Sequence, residues 1–366
     1  MQRFSSIWFK IGIGVALIVV AAVLPLLAIN IPGILPGPTY TPGTLSMLAY
    51  AMLIAALALS YHLLFGVGGM LSFGHALFFA AGAYGLAVMM RLLAPQVPES
   101  AVFLIAIILT LGLAVAVGNL VGALALRVTG ISFAMVTLAF AQAFNVLVRR
   151  NTGGLTGGEE GVTVPVNFLP DALVGVLNTR NLYWLALAIL VIAYLVCVWV
   201  QNSRLGHVLA ATRENELRVR VLGLRPYTVR LFVFAVAGVL AAVAGIGFVL
   251  LQSGATPRIT IADFTLTLLV IVVLGGVGYR WGAIVGGIVY TILDQRLSAL
   301  ASSGWIQSLP DVLRIPLSEP LFILGMLFVL VVMFAPGGIA GLAKTLTTRS
   351  AKGVRTMDVK ASANGQ

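Results

Sequence analysis

Three stretches carry the residues that could do chemistry. The first, Leu63–Gly85, reads LLFGVGGMLSFGHALFFAAGAYG and sets Ser72, His75 and Tyr84 among glycines and apolar side chains. Ser72 and His75 could line a polar pathway, because uncompensated polar groups are costly at membrane depth. They could equally be satisfied groups inside a packed interface, and both readings stand. The second, Thr152–Gly161 (TGGLTGGEEG), looks like a phosphate-binding loop, but the chain contains no GxxxxGK[ST]. It reads either as a solvated turn carrying Glu159 and Glu160 or as a docking or gating surface. The third, Gln201–Arg230, is a polar interruption, QNSRLGHVLAATRENELRVRVLGLRPYTVR.

Leu205, Val208, Leu209 and Thr212 recur at three- and four-residue spacing, which predicts one short amphipathic helix over Arg204–Leu222. Glu214 and Arg218 stand at i, i+4, a favourable helical pair. Gly223 suits a left-handed position after the last turn, and Pro226 follows. Basic residues held against anionic headgroups would explain the arginines, but not this helix-stop architecture. A short helix held by two long apolar runs is a shape suited to passing force to a cytoplasmic partner.

Other chemistries find little support. The three histidines, His62, His75 and His207, lack HExxH spacing, and the single Cys197 excludes a disulfide framework. No series of Asp, Glu and His crosses the apolar runs, which argues against a proton-driven pump. The Gly118/Gly122 and Gly282/Gly286 steps suggest close helix packing. Leu274–Ile288, LGGVGYRWGAIVGGI, places a turn at Tyr279–Trp281.

The elements that must position these residues follow from composition. Of 366 residues, 60% are apolar and only 9% are charged, against about 25% in soluble domains. A water-soluble enzyme and a disordered chain are both excluded. The net charge of +11 is no nucleic-acid stripe, since the basic residues punctuate apolar runs as flanks of membrane spans do. The partner of this surface is a lipid bilayer.

A span needs about 20 apolar residues, and backbone groups in lipid must bond internally, so helices are expected. The runs predict an all-α, polytopic integral membrane protein with about ten transmembrane helices: 11–29, 45–65, 70–90, 102–126, 131–148, 182–201, 231–251, 263–279, 281–301 and 319–335. The first run is longer than the apolar part of a secretory signal and no small-x-small site closes it. With both termini cytoplasmic, fifteen of the 22 basic residues fall inside, agreeing with the positive-inside rule. The glycines of 63–85 predict a tight turn or a broken, re-entrant segment. Asp263 is expected at the N-terminal side of the eighth span, favoured by the helix dipole.

These stretches, in this order, resemble the permeases of branched-chain amino acid ATP-binding-cassette importers, of the LivM type. The resemblance runs from about residue 48 to 290 and rests on LLFGVGGMLSFGHALFFAAGAYG, TGGLTGGEEG, SRLGHVLAATRENELRVRVLG and VVLGGVGYRWGAIVGG. It implies a non-catalytic permease domain over 1–343 and a flexible cytoplasmic tail over 344–366, in a multi-pass protein of the bacterial inner membrane. It implies a homologous sister permease, two cytoplasmic ATPases that bind ATP and magnesium, and a periplasmic binding protein; no cofactor is expected in this chain. Within the coupling loop 202–230, Gly206, Arg213, Glu214 and Gly223 would meet the ATPases. Beyond Gly223 the sequence RPYTVRLFVFAVAG departs from the I-x-L-P continuation of many ABC importers. Ser72, Phe73 and His75 would lie in or near the passage, with Gln142 and Asn145 either walling it or bonding between helices. Urea or short amides are the alternative cargo. A self-contained ion-coupled transporter and a purely structural membrane subunit are the alternatives of other classes.

Overall fold

The computed structural model of the chain describes residues 2–30, 35–175, 178–301, 319–335 and 337–342, with the single positions 314 and 344. The elements run α1 (Gln2–Val23), α2 (Pro42–His62), α3 (Ala76–Leu93), α4 (Glu99–Ala125), α5 (Ile131–Arg150), α6 (Thr179–Asn202), α7 (Arg204–Glu214), α8 (Glu216–Val221), α9 (Pro226–Gln252), α10 (Ala262–Gly275), α11 (Arg280–Ala301) and α12 (Pro320–Phe334). Two short strands, β1 (Val162–Thr163) and β2 (Gly254–Ala255), pair antiparallel, Val162 opposite Ala255. The chain is a helical, polytopic membrane protein.

Six helices among the described residues are long and apolar enough to cross a bilayer, or up to seven if the α10–α11 pair is one broken span. The described residues do not establish the expected count of ten. α10 and α11 meet at a bend of 119°, where Gly276 (φ 115°) and Gly278 (φ 96°) turn the chain. The turn thus falls at 276–279, and Arg280 and Trp281 already belong to α11. Within the first and tenth runs, the described residues include the apolar helical stretches Gly14–Leu26 and Phe322–Val331. The tail expected over 344–366 lies outside the described residues except for Lys344, whose ammonium sits 5.7 Å from the Tyr279 ring centroid.

α2, α3 and α9 form the centre, while α4 and α5 show most of their surface. Lipid is as apolar as leucine, so helices in a bilayer associate through close packing rather than hydrophobic exclusion. Small residues do this here. A Cβ at Gly287 of α11 would come 2.6 Å from the Ala55 Cα of α2. The Gly118 and Gly122 step lets α4 approach Ala235 and Phe234 of α9, and Gly282 and Gly286 seat α11 against Gly275 and Ile271 of α10. Both steps are packing devices. α1 is tied to α6 by Tyr183, whose hydroxyl donates to Ala21 O at 2.7 Å.

Candidate functional site

α2 does not end as an ordinary helix. Its last turn widens into a π turn, Leu63–Val67, after which Gly69 adopts φ 64°. Residues 68–75 then run without helix back along α2, as far as Ser60. The sequence pattern predicted this break; its depth comes from the bonds. Ser60 Oγ lies 2.8 Å from His75 Nε2, and Ser60 is seven residues, about 10 Å, from the end of the π turn. Irregular backbone at such depth survives only where protein satisfies it. The Tyr61 hydroxyl donates to Ser72 O at 3.1 Å, Phe73 N–H donates to Thr137 Oγ1 of α5 at 3.1 Å, and Ala76 N–H donates to Thr265 Oγ1 of α10 at 3.1 Å.

Ser72 and His75 are fully buried in the single chain. Ser60 gives its proton to Leu57 O at 2.7 Å, so it accepts from His75, and the His75 proton sits on Nε2. Among the described residues, His75 Nδ1 has no partner. Phe73 is half-buried. On α5, Asn145 is buried and donates to Thr260 Oγ1 at 2.9 Å, whereas Gln142 faces outward. Ser72, Phe73 and His75 therefore stand at one joint, Asn145 belongs to a neighbouring bond, and Gln142 to neither.

Beneath this joint lies the polar segment. The predicted single helix over Arg204–Leu222 is two helices, because Asn215 is extended (φ −157°, ψ 102°) and its side chain accepts from Arg218 N–H. An asparagine competes with the helix for backbone donors and prefers this capping position. The break also overturns the expected Glu214–Arg218 pair. Glu216 instead pairs with Arg220 and, at 2.8 Å, with Arg230 at the start of α9. Gly223 adopts φ 78°, with Leu224 N–H bonded to Val219 O at 3.3 Å and Gly223 N–H to Arg220 O at 2.9 Å. That is the left-handed termination its position predicted. At the front of α7, Gly206 allows contact with the end of α6: a Cβ there would lie 2.2 Å from Val200 O.

Burial alone would raise the Glu216 carboxyl, but the hydrogen bonds and charges of Arg220 and Arg230 outweigh it and hold the group below its ordinary range. The resulting hold of α8 on α9 is complete above the ordinary glutamate value of about 4.3. It is lost as pH falls through the lower folded value. Glu216→Gln, which mimics the protonated group, is expected to speed amide exchange across 216–222 severalfold at neutral pH. Unchanged deuterium uptake there would contradict this.

The contact that joins the two regions was not foreseen. Arg213 Nη1 donates to Gly66 O at 2.5 Å, and a Cβ at Gly69 would come 2.9 Å from Arg213 Cγ. Gln201 Nε2 also lies 3.1 Å from His62 Nε2. An open cleft of about 570 Å³ beside this clasp is lined by Gly66, Gln201, His207, Arg213, Glu214 and Gly278. Glu214 is exposed, as are Leu217 and Val221 of the next helix and Leu222, which follows it. Apolar residues so exposed on a basic surface make this a candidate docking face.

At the opposite end, TGGLTGGEEG is an ordered cap. Asn151, left-handed at φ 48°, accepts from Thr156 N–H and Gly157 N–H, each at 3.0 Å. Arg149 pairs with Glu159 at 3.0 Å, and β1 ties the loop to the segment after α9.

The family described as "Branched-chain amino acid transport system / permease component" matches residues 43–335. The chain is 27% identical over 277 residues to the high-affinity branched-chain amino acid transport system permease protein LivM of Escherichia coli, covering 70% of this chain and 64% of that one. It is 25% identical over 305 residues to the LivH permease protein of Salmonella typhimurium, covering 78% and 91%. It is 33% identical over 160 residues to the autoinducer 2 import system permease protein LsrC of Yersinia pseudotuberculosis, covering 41% and 44%. The matched region takes in the joint between α2 and α3, the TGGLTGGEEG cap and the clasped surface helix together, and the chain belongs to the family of branched-chain amino acid transport permease components.

Proposed function

We propose that this chain is a permease subunit of an ATP-binding-cassette importer in a bacterial inner membrane, moving branched-chain or related amino acids delivered by a periplasmic binding protein. A homologous sister permease would complete the passage. Two ATPases, holding ATP and magnesium, would dock against α7 and α8 at Glu214, Leu217, Val221 and Leu222.

One observation carries this reading: the surface helix α7 grips the carbonyl of Gly66 in the π turn that closes the α2 span. A motion imposed on α7 from the cytoplasm would reach residues 68–75 directly, and through Ala76 and Thr265 the start of both α3 and α10. Alternating access needs such a two-position element biased by a partner.

The test is uptake by the complex of both permeases, the ATPases and the binding protein in proteoliposomes. Leucine is expected to accumulate and urea is not. Urea uptake without leucine uptake would assign the same machinery to short amides.

A further inference from the structure

Residues 253–261 leave the outer end of α9 and descend to α10. Two bonds set their depth. Thr260 is held by Asn145, five residues before the end of α5 at Arg150, or about 8 Å below it. Thr265 is held by Ala76, and because α10 is already helical from Ala262, the five residues from Thr260 to Thr265 descend at most about 12 Å further. Asp263 lies between these levels, inside a hydrocarbon layer about 30 Å thick. Arg258 lies nearer the outer face.

One side of the descent is buried, with Ala255, Pro257, Ile259 and Thr260 facing the protein. The other exposes Ser253, Thr256, Arg258 and Asp263. The lipid-facing surface of this chain has a different make-up: α4 exposes Leu104, Ile108, Leu113, Leu120 and Leu124. Ionisable groups at membrane depth face a bundle interior or water, because lipid does not solvate them. Among the described residues neither Arg258 nor Asp263 takes part in any of the ion pairs. An acid in the first turn of α10 complements the helix dipole, but that does not account for an exposed arginine before it. Gln142, exposed on the adjacent α5, extends the polar character.

We propose that the exposed side of 253–263 is a wall of the substrate passage, where Arg258 receives the carboxylate and Asp263 the ammonium of a zwitterionic amino acid. This rests on the importer reading and names the residues that would recognise its amino-acid substrate. Opposite charges suit a zwitterion and give a neutral amide no advantage.

The test uses the four-component complex in proteoliposomes, with cysteine placed singly as Arg258→Cys or Asp263→Cys. The native Cys197 is fully buried and can remain. A membrane-impermeant methanethiosulfonate added from the outer side is expected to modify both positions, and leucine-loaded binding protein with ATP is expected to slow the reaction. Arg258→Gln and Asp263→Asn are each expected to lower leucine uptake about tenfold, the scale of one lost hydrogen bond to a charged group. Unreactive cysteines, or neutral variants that import leucine at the wild-type rate, would overturn the proposal. Silent cysteines with a poor yield of assembled complex would do so too, assigning the charges to the sister-permease interface. Failure of the importer reading itself is distinguishable: the unmodified complex would then take up no leucine even where the cysteines react, and both proposals fall.

Discussion

Gly245→Val is expected to leave no folded protein. A Cβ at position 245 of α9 would lie 2.0 Å from Phe79 O of α3, and one at Gly82 of α3 would lie 2.1 Å from Ala242 O of α9. The two glycines thus make a reciprocal backbone-to-backbone contact, with no flexible side chain available to give way. The helices would have to part, opening the interface that buries Phe79, Ala83, Ala241 and Val249. Overpacking against side chains costs about 1–3 kcal/mol; a clash with backbone along a central helix pair costs more. In a bilayer no hydrophobic exclusion compensates, because lipid solvates the separated faces. Gly112 is the internal control, since a Cβ there meets nothing within 4 Å. Gly112→Ala should gain about 0.5–1 kcal/mol from helix propensity. Size-exclusion profiles and thermal unfolding in detergent read both. A monodisperse Gly245→Val protein with an unchanged midpoint would contradict the packing described.

The second large effect is expected at Arg213. The π turn leaves the Gly66 carbonyl to the Arg213 guanidinium, and Gly69 lets the arginine stem lie flat against the backbone. A hydrogen bond from a charged donor contributes about 1.5–3 kcal/mol. In the proposed importer its greater role would be mechanical, as the link between the surface helix and the joint that follows α2. Arg213→Ala should therefore lower leucine transported per ATP hydrolysed by at least about tenfold, while ATP hydrolysis continues. Arg213→Lys keeps the charge without the planar fork and should fall between. Wild-type stoichiometry in Arg213→Ala would show that force enters the membrane elsewhere.

Local features of this fold were legible in the sequence. The long runs of α4, α6 and α9 follow from hydropathy. The left-handed Gly223 follows from a glycine after a basic last turn, and the break after α2 from clustered glycines. The split at Asn215 was also written locally, as a capping residue followed by Glu216, but the apolar spacing across it suggested continuity. Other features depend on partners far apart in the chain. Phe73 meets Thr137 across 64 positions, and Ala76 meets Thr265 across 189. A threonine inside an apolar run does not announce which distant N–H it will satisfy. For the same reason Asp263 read as a helix-dipole acid, until the bonds of Thr260 and Thr265 set its depth.

In the proposed importer, energy would enter this permease from separate ATPases through α7. The measurement that tests it most directly is leucine uptake into proteoliposomes holding both permeases and the binding protein, with the ATPases present or omitted, and with or without a proton or sodium gradient. Uptake is predicted only with ATPases and ATP, and to be indifferent to the gradient. Gradient-driven uptake by this chain without ATPases would contradict the account.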